Sequence, residues 1–93
     1  MKYFDWNSEK NTLLQKERDV SFEDVLVAVD EARILDIVVH KNQKKYPNQF
    51  VLIVDIRGYA YLVPYVEDEE KIFLKTIIPS RKATKIYIIN KST

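Results

Sequence analysis

The sequence predicts an α+β fold in which two N-terminal helices pack on a four-stranded antiparallel sheet, with a short C-terminal helix after it. Three observations lead there. Helix-capping residues, Asn7 and Ser21, stand before two helical stretches in the first third. Strand-like apolar runs then follow one another from Ile34 to Ile78 with short connections. Ser80, after Pro79, offers a further N-cap near the end.

In order, a short strand opens the chain. Asn7 caps a helix over Ser8 to Arg18, with Leu13 and Leu14 as its apolar face. Ser21 and Asp24 form a short capping box for the second helix, and Val20 with Val25 can close a hydrophobic staple around it. Phe22, Val25, Leu26 and Val29 recur at the spacing of one helical face. The first long strand is Ile34 to His40, the second Phe50 to Arg57, the third Tyr59 to Val66 and the fourth Lys71 to Ile78. Arg57-Gly58 reads as a tight hairpin, because the chain's single glycine tolerates the positive φ such a turn needs. Lys41 to Gln49, with Pro47 and Asn48, forms a loop, and the acidic run Glu67 to Glu70 links the last two strands. Connections this short give an antiparallel meander. Pro64 lacks a backbone donor, which puts its strand at an edge or at a bulge. Lys85-Ile86-Tyr87-Ile88 alternates as a strand would, but Ser80 and the shared helical face of Ala83, Ile86 and Tyr87 favour a short helix.

With 93 residues, the chain is read as one domain, residues 1–93. It has no cysteine, which excludes a disulfide framework and any Cys-ligated zinc or iron–sulfur site. No run approaches the roughly 18 apolar residues of a membrane span. Met1 to Trp6 carry an early acid and no apolar signal-peptide core, so the expectation is a cytoplasmic protein that does not engage a membrane. Net charge is +1, but the Glu67–Glu70 run supplies −4 of it, leaving the remaining residues at +5. Positive charge gathers at Lys41, Lys44 and Lys45 and again at Arg81, Lys82 and Lys85. Charge runs of this kind commonly form solvated loops, and local patches of them also bind phosphate.

Three motifs occur in order along the chain. They are Phe4-Asp5-Trp6-Asn7 followed by Lys10-Asn11, then Asp19-Val20-Ser21-Phe22-Glu23-Asp24, then Ile77-Ile78-Pro79-Ser80-Arg81-Lys82-Ala83-Thr84. In these motifs and their order the chain resembles the BrnT-type toxins of the broad RelE-like superfamily. The resemblance implies the toxin of a type II toxin–antitoxin system, an endoribonuclease that stops translation by cleaving RNA without a cofactor. It also implies a ribbon–helix–helix antitoxin as partner, with DNA contacted only through the antitoxin complex at its own promoter. The chain departs from the pattern at three places. Asp19 stands where the family usually has Gly, Lys45 to Gln49 lacks an arginine, and Thr76 occupies a position that is often Arg.

Metal-independent RNA cleavage uses the neighbouring 2′-hydroxyl as nucleophile. It needs a proton acceptor, a proton donor for the leaving oxygen, and positive charge at the phosphate. His40 is the only histidine, so a two-histidine mechanism within one chain is excluded. Arg81 and Lys82 are the leading catalytic candidates, as phosphate-stabilising cations in the first turn after Ser80. Lys75 and His40 are the secondary ones, His40 for proton transfer near neutral pH. Arg57, Tyr59, Tyr61, Lys44 and Lys45 are RNA-binding candidates, since cations interleaved with aromatic rings suit unpaired bases. Strand alternation would gather the tyrosines, Arg57, Lys75 and His40 on one surface if their faces coincide; half-buried packing is the plainer role for any single tyrosine. No metal site is expected, because the acidic run has no His or second carboxylate pair at a supporting spacing. No Gly-rich phosphate loop is present. The other reading is a non-catalytic module that binds a ribbon–helix–helix regulator, motivated by the missing arginine and Thr76.

Overall fold

The computed structural model describes residues 2–39 and 41–90. Its elements are β1 (Tyr3–Asp5), α1 (Ser8–Arg18), α2 (Phe22–Asp30), β2 (Ile34–Val39), β3 (Gln49–Ile56), β4 (Tyr59–Glu67), β5 (Lys71–Leu74), β6 (Ile78–Pro79) and α3 (Arg81–Thr84). A π-helical segment, Lys85–Ile89, continues α3.

Side chains satisfy the free donors at the start of each helix. Asn7 Oδ1 accepts from Lys10 N at 3.0 Å. Ser21 Oγ accepts from Asp24 N at 3.2 Å while Asp24 Oδ2 accepts from Ser21 N at 3.0 Å, a complete capping box. Ser80 Oγ accepts from Ala83 N at 3.1 Å. Between α1 and α2, Asp19 sits in the left-handed region at φ 56°. That is the conformation a glycine would take freely and an aspartate tolerates. Arg57 and Gly58 both have positive φ, 55° and 82°, as a type I′ hairpin between β3 and β4 requires.

The expected four-stranded antiparallel sheet is corrected to a six-stranded mixed one, in the order β1-β5-β4-β3-β2, with β6 also paired to β4. Two causes account for the difference. The short N-terminal strand joins the sheet, pairing parallel to β5 from Tyr3↔Lys71 to Asp5↔Phe73. The expected strand from Lys71 to Ile78 is broken in two. Pro64 is not at a sheet edge, since β4 lies between β3 and β5 and keeps regular register with β3 through Val51↔Pro64. Its carbonyl accepts from Lys75 N at 2.8 Å, so the donor it lacks would also have faced this neighbour. Ladder pairing therefore stops after Tyr65↔Leu74 and resumes at Leu62↔Ile78. The acidic run is a turn closed by Asp68 Oδ1, which accepts from Glu70 N and Lys71 N at 2.8 Å each. Those two donors hold the Asp68 carboxyl below its ordinary pKa. Lys2 pairs with Glu67, and Lys71 with Asp5 at 3.6 Å, beside the parallel strand.

Helix placement is corrected as well. Of the N-terminal pair, α2 runs along β3, whereas α1 inserts mainly Leu14. Leu13 is 47% exposed, because adjacent helical residues are about 100° apart and cannot both face the sheet. The third helix lies on the opposite face. The first-face core joins Leu14, Val20, Phe22, Val25 and Ala28 to Leu52, Val54, Val63, Leu74 and Ile77. The second-face core joins Ala83, Tyr87 and Ile88 to Ile53, Ala60 and Leu62.

Asn11 welds α1 to α2. Buried in the helix junction, it accepts from Phe22 N at 2.7 Å and donates to Glu23 Oε1 at 2.8 Å. The Asn11 amide is the main reason the Glu23 carboxyl sits below its ordinary pKa. A depressed carboxylate stabilises the fold above its unfolded pKa, and the contribution disappears as pH falls through the folded value. Asn11→Ala orphans the Phe22 N–H and is expected to cost about 1–3 kcal/mol in urea unfolding at neutral pH. In an NMR titration of the same variant, the Glu23 pKa should rise toward its ordinary value.

Candidate nucleic-acid interface

Arg81 takes its place from the edge of β4. Ser80 N donates to the Ala60 carbonyl at 3.0 Å, and Ala60 N donates to Thr84 Oγ1 at 2.9 Å. Thr84 Oγ1 in turn donates to the Ser80 carbonyl at 2.8 Å. Residues 80 and 84, one helical turn apart, thus clamp a single buried strand residue. With Tyr61 opposite Pro79, the clamp seats the start of α3 against β4 near its hairpin end. Those two rings meet edge-on, with centroids 5.7 Å apart at 67°. Tyr61 packs partly on the first-face core.

Other expected site residues lie elsewhere. Lys82 is exposed and lines a second-face groove of about 600 Å³. Val38, Val51, Ile53 and Leu62 form the floor of that groove, with Val39, Lys41 and Tyr87 at its margins. Lys75 lies in a shallow depression with Asn7, Glu9, Lys10 and Leu13, on the α1 side. Arg57 is held by the helix junction, donating to the Asp19 carbonyl at 2.6 Å and lying 3.7 Å from Asp24 Oδ2. Lys44 and Lys45 are exposed in the β2–β3 loop, with Lys45 Nζ 5.4 Å from the centre of the Tyr46 ring. His40 lies outside the described residues. The structure therefore seats α3, which Arg81 opens, on the second face, whereas Tyr61 packs on the first-face core, Arg57 is held at the helix junction and Lys75 lies on the α1 side; the candidates are not gathered on one surface.

Two residues not singled out as site candidates matter here. Tyr87 borders the groove and donates its hydroxyl to Asp36 Oδ2 at 2.8 Å, tying the π-helical segment to β2. That bond, above all, raises the Tyr87 pKa. Helical periodicity placed Tyr87 on the packed face of the C-terminal helix, but nothing in the sequence linked it to Asp36 across 51 positions. Arg18 donates to the Ile77 carbonyl at 2.6 Å and anchors the link between β5 and β6 under α1. Among the described residues there is no group of three or more His, Asp or Glu that could hold a metal ion. Nor is any helix among them long and apolar enough to cross a membrane.

An α+β protein with helices on both faces of a small mixed sheet, its last helix opened by an arginine with no partner among the described residues, is the class these features define. The fold is similar to that of the Brucella abortus ribonuclease toxin BrnT in its crystal structure, with a TM-score of 0.61. The match covers 86% of this chain and 97% of that one at 12% sequence identity, a likeness of fold. No family model matches the sequence, and no curated protein matches it.

Thr84→Val keeps the side-chain volume but leaves the buried Ala60 N–H without its acceptor. The expected cost is about 1–3 kcal/mol of stability, read by urea unfolding. Hydrogen exchange at Ala60 should accelerate with it. Separately, Asp36→Ala removes the acceptor whose bond raises the Tyr87 pKa. An NMR pH titration of the tyrosine rings should then show Tyr87 ionising nearer the ordinary tyrosine value.

Proposed function

We propose that this protein is the toxin of a type II toxin–antitoxin system, a metal-independent endoribonuclease acting on RNA in the cytoplasm. Its partner on this reading is a ribbon–helix–helix antitoxin, and it meets DNA only within that complex. The observation that carries the reading is the fold shared with a ribonuclease toxin along 97% of that toxin's chain. Arg81 supports it from the side of chemistry. The chain has four arginines. Arg18, Arg33 and Arg57 direct their guanidinium groups to the protein's own carbonyls or carboxylates. Arg81 is exposed and has no such partner among the described residues.

In the proposed reaction the 2′-oxygen gives up its proton and bonds to the adjacent phosphorus. The P–O5′ bond breaks, and the 5′-oxygen takes a proton as it leaves. The products are a 2′,3′-cyclic phosphate and a free 5′-hydroxyl. Arg81 offsets the charge that builds on the phosphoryl oxygens, and a base rests on Tyr59 or Tyr61. Lys82, next in sequence and facing the groove, holds a flanking phosphate on the other side of α3. His40 is the candidate for proton transfer. Lys75, Arg57, Lys44 and Lys45 act at longer range as positive charge along the strand's path.

The second reading, a non-catalytic module for a ribbon–helix–helix regulator, is favoured by one observation. Arg57 is taken up by Asp19 and Asp24, and Lys75 lies on the α1 side, so neither gathers around Arg81. Purified protein incubated with RNA, with and without ribosomes and in EDTA, separates the two. Cleavage that persists in EDTA is expected. Arg81→Ala should lower its rate by about 10²–10³-fold, as loss of a charge-stabilising donor does. The same variant should relieve growth arrest on induction in a bacterial host. Folded protein that leaves RNA intact under every condition would reject the nuclease.

A further inference from the structure

The second helix is shorter than the strands beneath it. The nine residues of α2 span about 14 Å, whereas the eight of β3 span about 27 Å. α2 lies over the hairpin half of β3. Asp24 in its first turn stands 3.7 Å from Arg57, and the Arg33 carbonyl, just past its end, accepts from Asp55 N at 3.0 Å. Ala32, left-handed at φ 59°, then turns the chain into β2. Beside the last turn of α2 the first face holds a cavity of about 210 Å³. Val29 of α2, Leu52 of β3, Phe4 of β1 and Ile72 of β5 form its apolar walls.

Two polar side chains also line it, both from β4. Tyr65 is only 6% exposed, and its hydroxyl has no hydrogen-bond partner among the described residues. Its ring is stacked on Phe50, with centroids 5.5 Å apart. A buried hydroxyl ordinarily has a partner, and one without marks a place for a molecule from outside. Glu67, two residues along the same face of the strand, brings a carboxylate whose Oε2 is paired with Lys2. Burial, and then the Glu67 charge, raise the Tyr65 pKa, so the hydroxyl stays protonated at neutral pH. The carboxylate beside it repels an anion and favours a guest that donates. Size narrows the choice further. A cavity of about 150 Å³ with apolar walls holds benzene, so 210 Å³ has room for a second small ring. The rings of Phe4 and Tyr65 in the lining suit an aromatic guest through edge-to-face or offset contact.

We propose that this cavity is a binding site for a small heteroaromatic molecule of indole size, whose ring N–H donates to the Tyr65 hydroxyl oxygen. Its apolar body lies among Val29, Leu52 and Ile72. The cavity belongs to the face opposite α3, and the proposal does not rest on RNA cleavage.

The probe is indole itself, which donates through its N–H and offers no acceptor. Added to ¹⁵N-labelled protein, it should shift the amide signals of Val29, Leu52 and Ile72 and reach saturation. Indene, the same shape without the N–H, should bind about three- to tenfold more weakly, the worth of one hydrogen bond. Benzoate should not bind. Tyr65→Phe keeps the ring and removes only the oxygen. Its urea midpoint should equal or exceed the native one, since no internal bond is lost, and it should bind indole and indene equally. Val29→Phe fills the cavity from α2 and should abolish the indole shifts in a dispersed spectrum. The Tyr65→Phe comparison decides the matter even if that bulkier variant fails to fold. Shifts that rise without saturating, or that centre on residues outside the cavity, would overturn the proposal. So would equal binding of indole and indene by the native protein, a preference for indole that survives Tyr65→Phe, or saturable binding of benzoate at the same residues. A fall in the Tyr65→Phe urea midpoint would overturn it too, by showing that the hydroxyl already has a partner within the fold.

Discussion

Every residue of a central strand needs hydrogen-bond partners on alternating sides, and Pro64 cannot donate on one of them. The neighbouring chain answers by leaving the ladder after Leu74 and returning at Ile78. Ile77, in between, turns fully into the first-face core, and its carbonyl is satisfied by Arg18 from α1. The offset brings Ser80 level with Ala60, where the chain can cross to the other face and begin a helix. An unbroken strand through Ile78 would have given the first-face helices no carbonyl to hold. The position of Arg81 thus follows from one missing N–H several residues away in space.

What the sequence made legible is what local chemistry determines. Asn7, Ser21 and Ser80 each accept the hydrogen bond expected of a cap, because a cap involves only residues within one turn. The Arg57-Gly58 turn is equally local. The parallel pairing of β1 was not legible, since three residues carry no periodicity and parallel partners can be far apart in sequence. Splitting of the last long strand was missed for a different reason. Lys71 to Ile78 is apolar enough to be one strand, and the obstacle lies in Pro64 on its neighbour. Pro64 was expected at an edge or a bulge and is at neither, because a proline's own strand does not reveal how many partners it has.

Of the candidate site, the sequence showed the helix start that carries Arg81 and little of its surroundings. Strand alternation puts Tyr59 and Tyr61 on a common face but is silent on which helices cover that face. Arg57 looked like a free cation because its acceptors, the Asp19 carbonyl and Asp24, are more than 30 positions away. Asp19 adopts the left-handed backbone that a glycine would take freely, and its carbonyl is tied to Arg57 in the same junction. The groove was illegible altogether. It is a depression beside β2 and the last helix, lined by residues as far apart in sequence as Val38 and Tyr87 and marked by no motif.

The distribution of arginine is the strongest internal argument for where function lies. An arginine that bonds a main-chain carbonyl fixes two segments of chain together, as Arg18 does for Ile77 and Arg57 for Asp19. Both serve the first face, and both make Arg81 possible by holding the crossing chain and the hairpin in place. Arg81 sits at the end of that scaffold, clamped through Ser80 and Thr84 but with its own guanidinium uncommitted among the described residues. A cation held by a rigid backbone and left without an internal partner keeps its full capacity for an anion from outside. Lys82, one residue on, is turned to the other side of the same helix, toward the aliphatic groove. Adjacent helical positions point about 100° apart, so a single short helix presents its two cations in different directions.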